Sequence, residues 1–436
     1  RYDGSSKFAK DHRYAFFPSV SAAWRISEEN FWQPLKGWWN DMKIRGSYGS
    51  LGNQVMDDLG NFPYLATYGT NSSYNYLING SKPVIVKAPG LVAPDFTWET
   101  VTQMDFGFDA SFLNNRLTGT FDWYRRNTKD MLVAGATLPA TLGASVPKSN
   151  SADMKTIGWE LSLGWNDRLE NGFSYWVKGV LSDYQATITK YAGNDAGFYS
   201  QSDGDGKYYV GQKIGEIWGY HSNGLFQSDD EAATIDQSEL YAGKWGAGDV
   251  KYEDLDNDGK ITKGEETIYN PGDKSIIGNK TPRYQFGITV GFDYKNFDFE
   301  MFWQGTGKRD YMLSGAQFWG FTSQWDVPYT PALDYWTETN TDAYFPRPGW
   351  QNGGNRVTSD RYLQSAAYGR LKNLTVGYTI PKNLTTKWGI SRLRLYVTGE
   401  NLLTITPLND AFDPETLGGM TYPINRKVAI GLNLTL

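Results

Sequence analysis

The chain has no cysteine and only two histidines, His12 and His221, among 436 residues. The first absence removes disulfide frameworks, thiolate metal sites and cysteine nucleophiles together. The second leaves little material for histidine metal clusters or Ser-His-Asp catalysis, because the two imidazoles lie far apart in sequence. No apolar run approaches the ~20 residues of a transmembrane helix, and mean hydropathy is -0.53. A basic field is missing too. With 42 Lys and Arg against 48 Asp and Glu, nucleic acid is excluded as an expected partner.

What the chain does have is alternation. Val428, Ile430, Leu432, Leu434 and Leu436 fall on one phase, and Ala429, Gly431, Asn433 and Thr435 on the other. Successive side chains of a strand point to opposite faces. The same period sets Met104, Phe106, Phe108, Ala110 and Phe112 against Asp105, Gly107, Asp109 and Ser111, so one face is oily and the other carries carboxylates. Segments of this kind fall at 13–26, 40–50, 103–113, 116–126, 156–167, 172–184, 283–294, 297–304, 368–380, 391–403 and 427–436. Most approach the ~9–11 residues that a tilted strand needs to cross a bilayer.

The linkers alternate as well. Short ones at 27–39, 114–115, 168–171, 295–296 and 381–390 interleave with long ones at 51–102, 127–155, 185–282, 305–367 and 404–426. All long loops therefore fall on one rim, the asymmetry of outer-membrane barrels with short periplasmic turns and long extracellular loops. Aromatic content of 16% and 48 glycines suit interfacial girdles, tight turns and a watery lumen. The expected fold is all-β: a membrane-spanning antiparallel β-barrel, partial, with about eleven strands and long extracellular loops. An odd strand count, with no initiator Met or signal peptide, predicts a fragment that cannot close alone.

Several motifs in fixed order carry a family resemblance. Phe17–Trp24, Lys43–Gly49 followed by Gly52, Asn53 and Gln54, Leu371–Pro381, Gly399–Leu402 and Asp413–Glu415 resemble the carboxy-terminal barrel half of SusC/RagA-type TonB-dependent transporters of Bacteroidetes. The resemblance implies that residues 1–436 are the carboxy-terminal part of a barrel of about 22 strands, with the plug and amino-terminal segments lying outside this chain. It further implies TonB as a partner through the amino-terminal part, a SusD-like lipoprotein lid over the external loops, outer-membrane lipid around the wall, and import of an oligosaccharide or peptide. Two other readings are weighed beside it: a secreted all-β carbohydrate-binding protein or glycoside hydrolase, and a passive porin. The porin explains neither loops of this length nor the motifs. The soluble reading yields the linker alternation only by accident.

The sharpest local motif is Asp254, Asp256, Asp258, Gly259, Lys260 and Glu265. It places ligands at positions one, three, five, seven and twelve of a calcium loop with glycine at six. Carboxylate oxygens and the Lys260 carbonyl suit Ca2+. The competing reading is an acidic Asx-turn without metal, since no helical pattern flanks the loop. Asp105, Asp109, Asp122 and Glu160 could serve glycosidase chemistry by count, but the alternation assigns them to the lumen as solvated charge. Trp218, Tyr220, Phe226, Trp245, Trp319, Trp325 and Trp350 fall in the two longest loops. They are candidates for substrate or lid contact, against the alternative that each long loop packs on its own small aromatic core.

Overall fold

In the computed structural model, residues 1–436 are described apart from 55–59, 72–76, 83, 88, 94–95, 135–138, 140, 142, 144–145, 193, 195–196, 199–207 and 418–421. Eleven strands form one sheet: β1 Ser19–Trp24, β2 Trp39–Asn53, β3 Glu99–Phe112, β4 Leu117–Ala134, β5 Lys148–Arg168, β6 Ser174–Tyr191, β7 Arg283–Tyr294, β8 Phe297–Lys308, β9 Tyr368–Thr379, β10 Arg392–Ile405 and β11 Lys427–Thr435. Each lies beside its sequence neighbour, antiparallel, from β1 at one edge to β11 at the other. All eleven predicted segments are strands of this sheet.

Register explains why the alternation is so clean. A row of cross-strand partners runs from Ile44 through Phe108, Phe121, Leu161 and Leu181 to Phe286, and Phe108 and Phe121 hold their rings 5.7 Å apart. The next row along carries Arg45, Gly107, Asp122, Glu160 and Ser182. A one-residue slip of any strand would mix the rows, so the two faces fix register together. On the apolar face Val428, Ile430, Leu432, Val376 and Val397 are exposed. Lipid supplies the missing contact for such a band.

Differences from the predicted spans concentrate on the long-loop rim. β4, β5 and β6 run on to Ala134, from Lys148 and to Tyr191. Outside the bilayer a strand no longer needs an oily phase, so the pattern fades while backbone pairing continues. β1 is shorter than the predicted 13–26: Pro18 immediately precedes it, and Tyr14–Phe16 pairs instead with Tyr2–Gly4. At the other rim the turns are tight. Leu113, Asn114 and Asn115 all take left-handed backbone angles between β3 and β4, and Lys295 does so between β7 and β8. Asn is among the few residues that visit this region readily.

Three of the five long loops pack together. One buried cluster joins Tyr220, Val250, Tyr252 and Ile261 from the 185–282 loop with Met312, Phe318, Phe345 and Tyr362 from the 305–367 loop and Leu408 and Leu417 from the 404–426 loop. For these three loops separate small cores are thus replaced by a shared one, while Tyr64, Phe96 and Trp98 of the 51–102 loop pack with Phe8, Phe17 and Leu132 in a second cluster.

Candidate functional site: a loop cavity above a charged wall

On the lumen-facing rows, ionised side chains are matched across strands. Arg45 of β2 is shared by Asp122 of β4 (Nη2 to Oδ2, 2.7 Å) and Asp109 of β3 (Nε to Oδ2, 3.3 Å), with Asp105 at 3.9 Å. A side chain at Gly107 would displace the ends of the Arg45 and Asp122 side chains, so glycine leaves the room in which they meet. Arg394 of β10 likewise donates from Nε to Asp298 of β8 at 2.8 Å. Asp105, Asp109 and Asp122, nominated for glycosidase chemistry, thus surround Arg45 in an ionic wall, and Glu160 lies across from Asp122 on the same row.

Above the wall, the loops enclose a cavity of about 630 Å³. Trp218 and Phe198 lie stacked on its lining, with centroids 4.2 Å apart and planes at 8°. Lys274 sits between aromatic faces, 5.6 Å from the Phe198 ring and 5.5 Å from the Tyr220 ring, and donates to Glu266 Oε1 at 2.7 Å. Burial pushes the Tyr220 phenol up, helped by the negative charges of Glu239, Glu266 and Asp273. Arg356 also lines the cavity; its guanidinium donates to the carbonyls of Phe321, Gly349 and Trp350 at 3.1, 3.2 and 3.0 Å. Burial lowers its pKa.

The structure divides the nominated aromatics. Trp218, Tyr220 and Trp319 line the cavity. Phe226 is fully buried, and Trp245 packs against the shared core while donating Nε1–H to the Tyr241 carbonyl at 3.0 Å. Trp325 and Trp350 are exposed on the outer surface. Sequence reasoning missed Phe198, Lys274 and Arg356, which no spacing rule singles out, because three separate chain segments bring them together.

His221 joins three segments of the loop body. Its Nδ1 lies 2.8 Å from Asp360 Oδ2 and its Nε2 2.7 Å from Ser275 Oγ, and Ser222 N–H donates to Asp360 Oδ1 at 2.9 Å. These are the contacts of a hydrolytic triad. None of the three lines the cavity; they join the end of the Glu216–Tyr220 strand to Ser275 of its partner strand and to Asp360.

In the acidic loop, Asp254 accepts from the N–H groups of Asn257 and Gly259, both at 2.7 Å, and of Asp258 at 3.3 Å. Asn257 and Gly259 take left-handed angles, the sharp bend for which the motif carries glycine. Oxygens of Asp254, Asp256 and Asp273 lie within 4.8 Å of one another. Asp273 is fully buried and accepts from Leu255 and Thr262 N–H at 2.8 and 2.7 Å. Desolvation and the charges of Asp258, Asp273 and Asp254 raise the Asp256 carboxyl above its ordinary range. Among the described residues, Asp258 and Glu265 supply no carboxylate to this group. An all-oxygen set fits a hard cation.

A single antiparallel sheet with an exposed apolar band, an ionic inner face and all long loops on one rim defines an outer-membrane β-barrel wall. No described helix is long and apolar enough to cross a membrane. Residues 1–402 match the family described as TonB dependent receptor-like, beta-barrel, and the chain belongs to that family. It is 31% identical to TonB-dependent receptor P3 of Formosa agariphila, with 100% of this chain and 43% of that protein covered. It is 28% identical to TonB-dependent receptor SusC of Bacteroides thetaiotaomicron, covering 100% and 41%. The structure of the RagAB peptide transporter shares its fold, with a TM-score of 0.76 and 22% identity over 98% of this chain and 44% of that one. The chain thus spans less than half the length of the relatives it matches. These relatives are named as receptors and transporters, and the chain is of SusC/RagA type and resides in the outer membrane.

Proposed function

We propose that this chain forms part of the wall and external loops of a TonB-dependent importer that takes up an oligosaccharide or peptide with a SusD-like surface lipoprotein as its lid. The observation that carries this reading is the cavity of about 630 Å³ in the loop body, lined by Trp218, Tyr220 and Trp319. Flat aromatic faces with a few fixed polar groups are what a recognition site needs. The ionic wall beneath it provides a wet path rather than a dry core. TonB, contacting a part of the protein outside this chain, would supply the work of moving the plug. Trp325 and Trp350, exposed on the loop surface, are the proposed lid contacts. Uptake by cells carrying the full-length protein tests the reading: Trp218→Ala should reduce uptake of the cognate nutrient at least tenfold with barrel levels unchanged, and loss of TonB should abolish it. Undiminished uptake in both backgrounds would refute it.

We further propose that Asp254 and Asp256, with Asp273, hold Ca2+. The site would stiffen the longest loop, since three carboxylates at this separation repel, and a cation would offset that repulsion beyond what the amide donors on Asp254 and Asp273 do.

A further inference from the structure

The charges lining the loop cavity are not all matched. Lys274 and Glu266 neutralise each other. Arg356 is half-buried and meets only carbonyl oxygens, and the nearby carboxylate of Asp326 is taken up by Thr322 and Ser323. At the rim of the same cavity Lys263 and Glu239 are exposed and, among the described residues, have no ion-pair or side-chain hydrogen-bond partner. The lining thus carries two cationic groups, Arg356 and Lys263, and one anionic group, Glu239, without a direct ion-pair partner among the described residues, Asp326 acting on Arg356 only as a counter-charge without a hydrogen bond to it.

We propose that the ligand class of this cavity is a short amphoteric peptide with an aromatic side chain, its carboxylate directed to Arg356 and Lys263 and its ammonium to Glu239. This rests on the reading of the cavity as the cargo site. A neutral glycan can stack on the rings but leaves all three charges to water. A ligand with both signs converts them into charge-assisted hydrogen bonds, which are shorter and about twice as strong as neutral ones. Opposite charges on the lining also reject a ligand of one sign presented in the wrong orientation. Lys263 and Glu239 are exposed, so replacing them leaves the loop core intact.

The test is calorimetry on the full-length protein in detergent, with the tetrapeptide Gly-Phe-Gly-Glu, the same peptide acetylated and amidated at its ends, and maltohexaose as probes. The free peptide should bind at least tenfold more tightly than the capped one. Glu239→Gln should remove the preference for a free amino terminus, and Lys263→Gln should weaken the free peptide several-fold. If capped and free peptides bind alike, or maltohexaose binds and the peptide does not, the peptide assignment is overturned while the cargo cavity stands. If no probe binds, the assignment is likewise overturned. Maltohexaose binding unaffected by Trp218→Ala would overturn the cavity reading as well.

Discussion

Arg347 and Asp249, 98 residues apart in sequence, meet through two hydrogen bonds of 2.9 and 2.6 Å. Asp249 is fully buried and also accepts from Asn355 Nδ2 at 2.8 Å and from Gly246 N–H at 2.9 Å. The 185–282 and 305–367 loops are therefore locked by a satisfied buried carboxylate as well as by their shared core. Removing one partner of such a pair leaves an uncompensated charge, at a cost of ~3–5 kcal/mol. Arg347→Ala should accordingly speed amide exchange across both loops by two or more orders of magnitude and leave β2 to β10 protected. Exchange confined to the 347 segment would show that the loops are independent.

The two faces of the sheet predict opposite tolerance for charge. Val376 is exposed on the apolar face of β9, and Thr375 lies on the other face, opposite Glu300 of β8. Val376→Arg should destabilise by ~2–4 kcal/mol near the midplane, and Thr375→Arg by ~1 kcal/mol or less. Folding titrations into bilayers measure both. Equal penalties would contradict the assignment of faces.

Acid should loosen the loop body before the barrel. The Asp326 carboxyl is held below its ordinary value by the Thr322 hydroxyl and by the N–H groups of Thr322 and Ser323. Glu231 is held down by Gln227 N–H and Lys251, and Asp229 by Lys244 and Ala247 N–H. A depressed folded pKa gives stability that is present above the unfolded carboxylate value and lost as pH falls through the folded one. Loop tryptophan fluorescence should change below about pH 4 while strand circular dichroism persists. Simultaneous loss of both signals would contradict separate loop stability.

The calcium proposal separates the spacing rule from the geometry. Asp273→Asn should abolish Ca2+ binding to the chelated full-length protein, as should Asp256→Ala, whereas Glu265→Gln should leave it within a few-fold. Unchanged heats on Ca2+ titration of the Asp273→Asn variant would remove the site.

How much of this could be read from sequence depended on what each residue answers to. Membrane strands obey a two-residue rule imposed by lipid and water, so the phase of Met104, Phe106 and Phe108 or of Val428, Ile430 and Leu432 is legible within one strand, whereas the register that lines up Ile44, Phe108, Phe121 and Leu161 is set between strands. Loop residues answer to partners far along the chain. The motif at Asp254, Asp256 and Asp258 is local and was visible. Asp273, beyond the twelve-residue window, was not. Trp218 and Tyr220 were legible as aromatics in long loops, but Lys274 and Arg356 became site residues only when the ribbon of Glu216–Tyr220 with Lys274–Asn279 met the 353–358 segment.

The central claim is that the long-loop rim faces outward and the short turns face the periplasm. Residues 1–436 contain no cysteine, so a thiol introduced here is the one cysteine of this segment, and the parent protein without it serves as the labelling control. Trp350→Cys sits on the exposed loop surface, and Asn171→Cys sits in the turn between β5 and β6. On intact cells a membrane-impermeant maleimide should label Trp350→Cys and leave Asn171→Cys unlabelled until the outer membrane is opened. Labelling of Asn171→Cys but not Trp350→Cys on intact cells, or of neither after opening, would contradict the account.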